Sequence, residues 1–439
     1  MMALIKHQLP LSICSKAAVL GSNLCACAAM LAALFSGSTM PQLVAHDMTQ
    51  HIARINYMVP VIFGFGTRAL LTHELAAVNA LNPFIVSDRG VVGAGLLEKI
   101  TPYLPKRFDV FLDTELNPTE AAACRGALAY RDGRHDCILG LGGGAAMDLA
   151  KAIAILVHNP APLWHYSNRY SSPKPYHDIP PLWLLPTTAG TGSEVGRSAV
   201  IVFDNGIKAG IRCPDITKAA ICDPDLSLSL PPRMTAATGL DAISHAIETF
   251  CSPAINPPAD AIAADALQRL LTYLPIAVAD GSDRVARWHC LMGSMQAALA
   301  FQKGLGAVHA MAHSLGALGF HHGSLNAILL PHVLRMNESS LGCKWGALSA
   351  LCAGDDTAYG LDIIDNRSAS DEHVGLPDPA DRVEALNEQL GLPRRLSELG
   401  VDYKDLESIS NASVQDQANR SNPKTMSALD YLKILKQAY

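Results

Sequence analysis

The sequence carries little net charge for its size. Thirty-four lysines and arginines face 40 aspartates and glutamates, a formal charge of −6, and no run of like charges breaks that balance. This removes the basic footprint of a nucleic-acid-binding surface and the charged tails of many interaction proteins. Pairing signals for cysteine are also missing. The 11 cysteines are scattered: Cys14, Cys25 and Cys27 lie near the N-terminus, and the others form no CxxC pair. A disulfide framework and a zinc ribbon are therefore excluded, and a reducing, cytoplasmic setting is expected. Beyond the N-terminal stretch no uncharged apolar run reaches the roughly 18 residues of a spanning helix, so neither membrane nor nucleic acid is expected as a partner. What the chain does have is apolar content. Hydrophobic residues are 49% and charged residues 17% of 439, enough for two or three domains with large cores.

The N-terminus stands apart. Ala17 to Phe35 carries no charge, follows Lys6 and Lys16, and ends at Ser36-Gly37-Ser38. Such a stretch reads as a signal peptide, a weak membrane anchor, or a dispensable extension with Met40 as a second start. Its Ala, Cys, Ser and Asn content makes membrane insertion marginal, which favours the extension. Residues 1–55 are accordingly set aside as a poorly ordered segment.

From Tyr57 to Leu230 short apolar runs alternate with helical spacing. Val59–Phe63, Pro83–Ser87, Asp109–Leu112, Cys137–Leu141 and Leu182–Pro186 are predicted strands, and Ala145 to Leu156 a predicted helix. That alternation implies a parallel sheet covered by helices. After Pro231-Pro232 the texture becomes helical, with Ala236–Phe250, Ala259–Leu274, Asp283–Phe301 and Asp381–Leu390 as the clearest segments. An α/β domain over 56–230 and an all-α domain over 231–439 are expected, with a cleft near residue 230.

Gly142-Gly143-Gly144 follows a predicted strand and opens a predicted helix. Glycines there let the backbone approach a pyrophosphate, whose charge a helix N-terminus stabilises. The sequence is not GxGxxG, so the alternative of a plain tight turn stays open. Asp88 ends another predicted strand, where a carboxylate can accept hydrogen bonds from a ribose; a solvated surface acid is the competing reading. Thr187-Thr188-Ala189-Gly190-Thr191-Gly192-Ser193 packs hydroxyls and glycines into a loop suited to a polar ligand. In the helical half, Asp241 and His245 are four apart, as are His309 and His313, and His321-His322 comes next. Spacing of four puts both side chains of a pair on one helix face, one turn apart. A single such pair is more often an ion pair than a metal site. Three clusters among Ala, Gly, Met and Leu point instead to a divalent ion, and three imidazoles with one carboxylate suit Zn(II) or Fe(II) alike.

Taken together, Gly142-Gly143-Gly144 with Asp148 and Lys151, the stretch Pro186–Val195, the Asp241–His245 pair, and Gly304-Leu305-Gly306-Ala307-Val308-His309 with His313 resemble the iron-containing (group III) alcohol dehydrogenases. The likeness runs from about Asn56 to Tyr439. It implies a dehydroquinate synthase-like fold: a Rossmann-like dinucleotide-binding α/β domain, an all-α metal-binding domain, and an active site between them. It implies NAD and Fe(II) as cofactors, with Zn(II) as the alternative metal, an alcohol or aldehyde substrate, and a homodimer. It places metal ligands at Asp241, His245, His309 and His322, a proton-relaying group at His313, and cofactor contacts at Asp88, Asn117, Gly143, Gly144, Asp148, Thr187, Thr188 and Lys208. The charge of Asp88 would oppose a 2′-phosphate and so favour NAD over NADP. Two departures stand out. Ala145 replaces a common serine, and the segment Ser314–His321 is short, which leaves His321 and His322 in competition; Gly323-Ser324-Leu325-Asn326-Ala327 favours His322.

Ala300-Phe301-Gln302-Lys303, Glu248-Thr249-Phe250 with Asn256-Pro257-Pro258-Ala259-Asp260, and Asn422-Pro423-Lys424 further resemble bacterial 4-hydroxybutyrate dehydrogenases within that family. On that likeness Lys303, six residues before His309 in a glycine-rich turn, is expected to meet the far carboxylate of an ω-hydroxy acid; a solvated lysine on a loop is the competing reading. The competing readings are a metal-independent reductase of the maleylacetate reductase type and an inactive NAD-binding protein. Retention of the carboxylate and the histidines counts against both.

Overall fold

The computed structural model describes residues 59–354 and 375–439. The N-terminal stretch, with its signal-like apolar run and Met40, lies outside the described residues.

The first half is built on a parallel sheet. Its strands are β1 (Val61–Phe63), β2 (Pro83–Val86), β3 (Asp109–Phe111), β4 (Cys137–Gly142), β5 (Leu182–Pro186) and β8 (Ala219–Cys222). An antiparallel hairpin of β6 (Ser198–Val202) and β7 (Lys208–Arg212) sits outside that sheet. Sheet order is β1-β8-β5-β4-β2-β3. The central strands are buried on both faces, as parallel strands under helical cover must be. Alternation then divides the core in two. Phe84, Val86, Ile138, Leu182 and Leu184 face one apolar cluster, while Ile85, Leu139, Leu141, Trp183 and Leu185 face the other.

Short helices α1 (Leu71–Ala77), α2 (Arg89–Gly93) and α3 (Leu96–Ile100) cover the second face; α4 (Glu120–Asp132) and α5 (Gly144–His158) cover the first. From β2 the chain crosses to β3 on one side, and from β4 to β5 on the other. The switch point therefore lies between β2 and β4, and ligands of such sheets bind outside the carboxyl ends of the strands there. Asp88 and Gly142–Gly144 occupy those two ends.

Where the predicted strands and the structure differ, the structure trims and adds. β1 starts at Val61 rather than Val59. The hairpin and β8 were absent from the expected set; the former alternates half-buried and buried residues over only five positions per strand, a weak signal beside the continuous apolar runs.

The second half is helical: α6 (Pro232–Cys251), α7 (Pro257–Ala279), α8 (Arg284–Leu299), α9 (Ala307–Gly316), α10 (His322–Leu341), α11 (Cys343–Ala353), α12 (Pro379–Gln389), α13 (Leu406–Val414) and α14 (Ala428–Gln437). Helix α6 is its axis. From Thr235 to Cys251 every residue is buried, as expected of a helix packed all round. Pro232 at its first turn and Asn256, whose side chain accepts from Ala259 N ahead of α7, mark the starts. Among the described residues α7 is long and apolar enough to cross a membrane by length and composition; its Ala263, Leu267, Leu270 and Leu274 lie in the helical core.

One contact fixes how α10 meets α6. A Cβ added at Gly323 would stand 2.3 Å from the carbonyl oxygen of Ala237. Glycine at this position lets the first turn of α10 rest against the α6 backbone, which brings His322 beside Asp241. Gly323→Ala should therefore cost about 1–3 kcal/mol through overpacking, read as a lower urea midpoint, whereas an unchanged midpoint would show that the two helices separate freely.

Candidate active site

A cleft of about 420 Å³ runs between the two halves, walled by α5, the loop 191–198, the β6–β7 hairpin, α6, α9 and the segment 416–421. At one place in it four side chains converge. Helix α6 supplies Asp241 and His245, one turn apart, α9 supplies His309, and α10 supplies His322. The Nε2 atoms of His245, His309 and His322 lie 3.6, 3.7 and 3.8 Å from Asp241 Oδ1. Asp241, His309 and His322 form a group whose donor atoms are all within 4.8 Å of one another.

Those spacings suit an ion. They exceed the usual 2.7–3.2 Å of a hydrogen bond, and they approach the roughly 3.4 Å that separates ligands around a tetrahedral ion with bonds of about 2.1 Å. Burial holds His245 down to about 3 and His322 well below its ordinary value, so both present the neutral lone pairs that a metal takes. Burial would raise Asp241, but the three imidazoles outweigh it and hold the carboxyl well below the usual range. The residues fit a divalent cation.

The sequence left His321 and His322 in competition. His321 instead caps α10, its Nδ1 accepting from Ser324 N at 3.3 Å, and His322 turns inward.

Three further residues around this group carry contacts that sequence spacing alone did not assign. Glu248 Oε2 accepts from His309 Nδ1 at 2.5 Å, and its Oε1 accepts from Val308 N at 2.7 Å. An acceptor at Nδ1 is the usual outer partner of a ligating imidazole. Burial would lower His309, but Glu248 and Asp241 outweigh it and raise the ring to about 9, so a metal would have to displace the proton on Nε2. Asp241, His245 and Glu248 recur at intervals of four and three, and that spacing was the available signal. Asn326 donates from Nδ2 to Asp241 Oδ1 at 2.6 Å. His313 lines the cleft, with its Nδ1 3.1 Å from Asp416 Oδ2 and its ring stacked on His322 at 5.6 Å. Nothing in the sequence pointed to Asp416, which arrives from 103 residues away.

Of the other expected site residues, Asp88, Gly143 and Gly144 lie at the switch point, and Asn117, Asp148 and Lys208 line the cleft. Gly142 adopts φ 153°, a region open to glycine, and α5 starts at Gly144 without any side-chain cap. Its first N–H groups are left available to an anion. Thr187 N donates to Gly142 O at 2.9 Å, and Thr188 lies against Gly143. Asp88 Oδ1 accepts from Val91 N at 2.9 Å and so caps α2. Lys208 donates to Asn117 Oδ1 at 2.7 Å, and burial pulls its ammonium down to about 8. Asp148 lines the cleft, accepting from Ser193 Oγ at 2.5 Å and Val200 N at 3.1 Å; burial pushes its carboxyl up despite Lys151 beside it.

Lys303 is placed elsewhere. It ends the 3₁₀ turn after α8, and its buried ammonium bonds Asp260 on α7 and the carbonyl of Phe250. It does not line the cleft. Gly304 comes next with φ 85°, so the chain turns toward α9 while the lysine stays behind in the helical core.

Residues 59–224 match iron-containing alcohol dehydrogenase, and residues 235–439 match the C-terminal part of the Fe-containing alcohol dehydrogenase family. A 4-hydroxybutyrate dehydrogenase from Cupriavidus necator is 40% identical over 399 residues, covering 88% of this chain and 100% of that protein. A solved 1,3-propanediol oxidoreductase superposes with a TM-score of 0.78 at 29% identity, over 88% of this chain and 100% of that one. A sulfoacetaldehyde reductase from Bifidobacterium kashiwanohense, solved with NAD+, gives 0.75 at 26%, over 88% and 98%. The chain belongs to the iron-containing alcohol dehydrogenase family. It is an NAD-linked alcohol oxidoreductase.

If Glu248 orients His309, Glu248→Gln should weaken metal binding about 10- to 100-fold. Chelator competition with Zn(II) or Fe(II) measures this, and an unaltered Kd would remove Glu248 from the site.

Proposed function

We propose that the protein is a metal-dependent, NAD-linked dehydrogenase whose alcohol is a short ω-hydroxy acid such as 4-hydroxybutyrate. One observation carries the reading: the imidazole–carboxylate group and the uncapped start of α5 wall the same cleft. A 4-hydroxybutyrate dehydrogenase among the relatives supports the substrate class.

Asp241, His245, His309 and His322 would hold Fe(II) or Zn(II). Gly143 and Gly144 would approach the pyrophosphate of NAD, with Asn117, Asp148, Thr187, Thr188 and Lys208 along its path and Asp88 toward its adenosine ribose. When bound, the ion polarises an alcohol oxygen as a Lewis acid and NAD accepts the hydride. The chain's own residues manage the proton. Asp416 fixes the His313 ring through Nδ1, which leaves Nε2 to receive the alcohol proton and pass it to solvent.

The test is NADH formation from ω-hydroxy acids and simple alcohols by protein loaded with Fe(II) or Zn(II). His313→Ala should retain bound metal and lose about 10²- to 10⁴-fold in kcat. His309→Ala should lose metal and activity together. Reversed outcomes would exchange the two roles, and absence of NADH from every alcohol with either metal would sink the reading.

Asp88 gives a separate check. Because it also caps α2, Asp88→Asn removes charge while keeping a capping oxygen. The ratio of NADP to NAD use should rise, and a constant ratio would place Asp88 away from the ribose.

A further inference from the structure

An ω-hydroxy acid needs a cation for its far end, and Lys303 is spent on Asp260. Besides the histidines, Arg169, Arg197, Lys208 and Arg212 are the cationic residues lining the cleft among the described residues. Lys208 is bonded to Asn117, and Arg169 donates to the carbonyl of Gln415. The guanidinium groups of Arg197 and Arg212 have neither a hydrogen-bond nor an ion-pair partner among the described residues. Burial lowers the Arg197 guanidinium from its ordinary value, and the charge of Arg212 lowers it further. Two cations that line one cleft without an acceptor cost free energy unless an anion joins them.

Their backbone is firmly held. Ser198 pairs with Arg212 in the hairpin register, and Cys213 N donates to Arg197 O at 2.8 Å. The fully buried Lys151 donates to Gly196 O at 3.2 Å and to Ser198 O at 3.1 Å, on either side of Arg197. Lys208 and Arg212 lie on one face of β7, four residues apart, about 13 Å of strand at roughly 3.3 Å per residue. The inner end, Lys208, is in the field of Asp241. The outer end, Arg212, is exposed at the rim.

We propose that Arg197 and Arg212 form the carboxylate-binding subsite of this enzyme and select alcohols that carry an anion several bonds from the hydroxyl. The inference rests on the dehydrogenase reading of the cleft. It favours ω-hydroxy acids over 2-hydroxy acids, whose carboxylate adjoins the reacting carbon.

The experiment compares kcat/KM for 4-hydroxybutyrate with that for 1-butanol, an uncharged alcohol of equal length, in the metal-loaded enzyme with saturating NAD. Arg197→Met and Arg212→Met should each lower the ratio about 10- to 100-fold, chiefly through KM, and Arg212→Lys should recover part of the loss. Butyrate, as a competitor of 1-butanol, should show a Ki raised by a similar factor. An unchanged ratio, whether both substrates suffer equally or neither does, overturns the proposal. So does a rise confined to the KM of NAD, which would assign the pair to a cofactor phosphate. Unsubstituted enzyme that oxidises 1-butanol but discriminates against 4-hydroxybutyrate defeats the subsite and leaves the dehydrogenase standing. Enzyme that oxidises neither defeats both.

Discussion

A single buried carboxylate organises the helical half. Asp241 is almost wholly removed from water, and an uncompensated charge there would be strongly destabilising. The chain compensates it with imidazoles on three helices and the amide of Asn326. Each partner demands a close approach: α9 must bring His309 to α6, and α10 must touch α6 closely enough that only glycine fits at position 323. The helix packing and the candidate metal group are therefore one constraint. What keeps Asp241 tolerable inside the protein is also what makes the place attractive to a divalent ion.

The sheet imposes its own constraint on the other wall. The strand order reverses between β2 and β4, so the loops after those strands diverge and leave a crevice. The sequence places a carboxylate at one of these ends and three glycines at the other. Neither feature identifies a dinucleotide site alone, since acidic strand ends and tight glycine turns are common. Their meeting at one switch point gives them weight, and that adjacency is a property of topology.

Topology also decides what was legible in the sequence. The continuous apolar runs of β2, β4 and β5 and the spacing of four in Asp241–His245 and His309–His313 are local patterns, so they could be read directly. The β6–β7 hairpin has only brief alternation. Asp416 reaches His313 through a fold-dependent contact that no spacing encodes. Lys303 shows the opposite failure. Six residues from His309 looked close along the chain, but a turn at Gly304 and a carboxylate on α7 take the ammonium in another direction. Sequence proximity gave its backbone position and said nothing about which partner was nearer.

Lys151 ties two parts of the sheet-side wall together. It is fully buried on α5, and its ammonium binds Ser193 O at 2.6 Å as well as the carbonyls of Gly196 and Ser198. A buried ammonium costs free energy unless its donors find acceptors; here carbonyl oxygens of one loop supply them, with the Asp148 carboxyl 3.6 Å away. The helix that follows Gly142–Gly144 thus sets the path of the loop leading to Arg197. The start of α5 and the cleft rim are joined by one side chain, and a shift in either must strain bonds to the same ammonium. Rigidity of this kind is what a hydride transfer requires, since donor and acceptor carbons must meet within a narrow range of distance and angle.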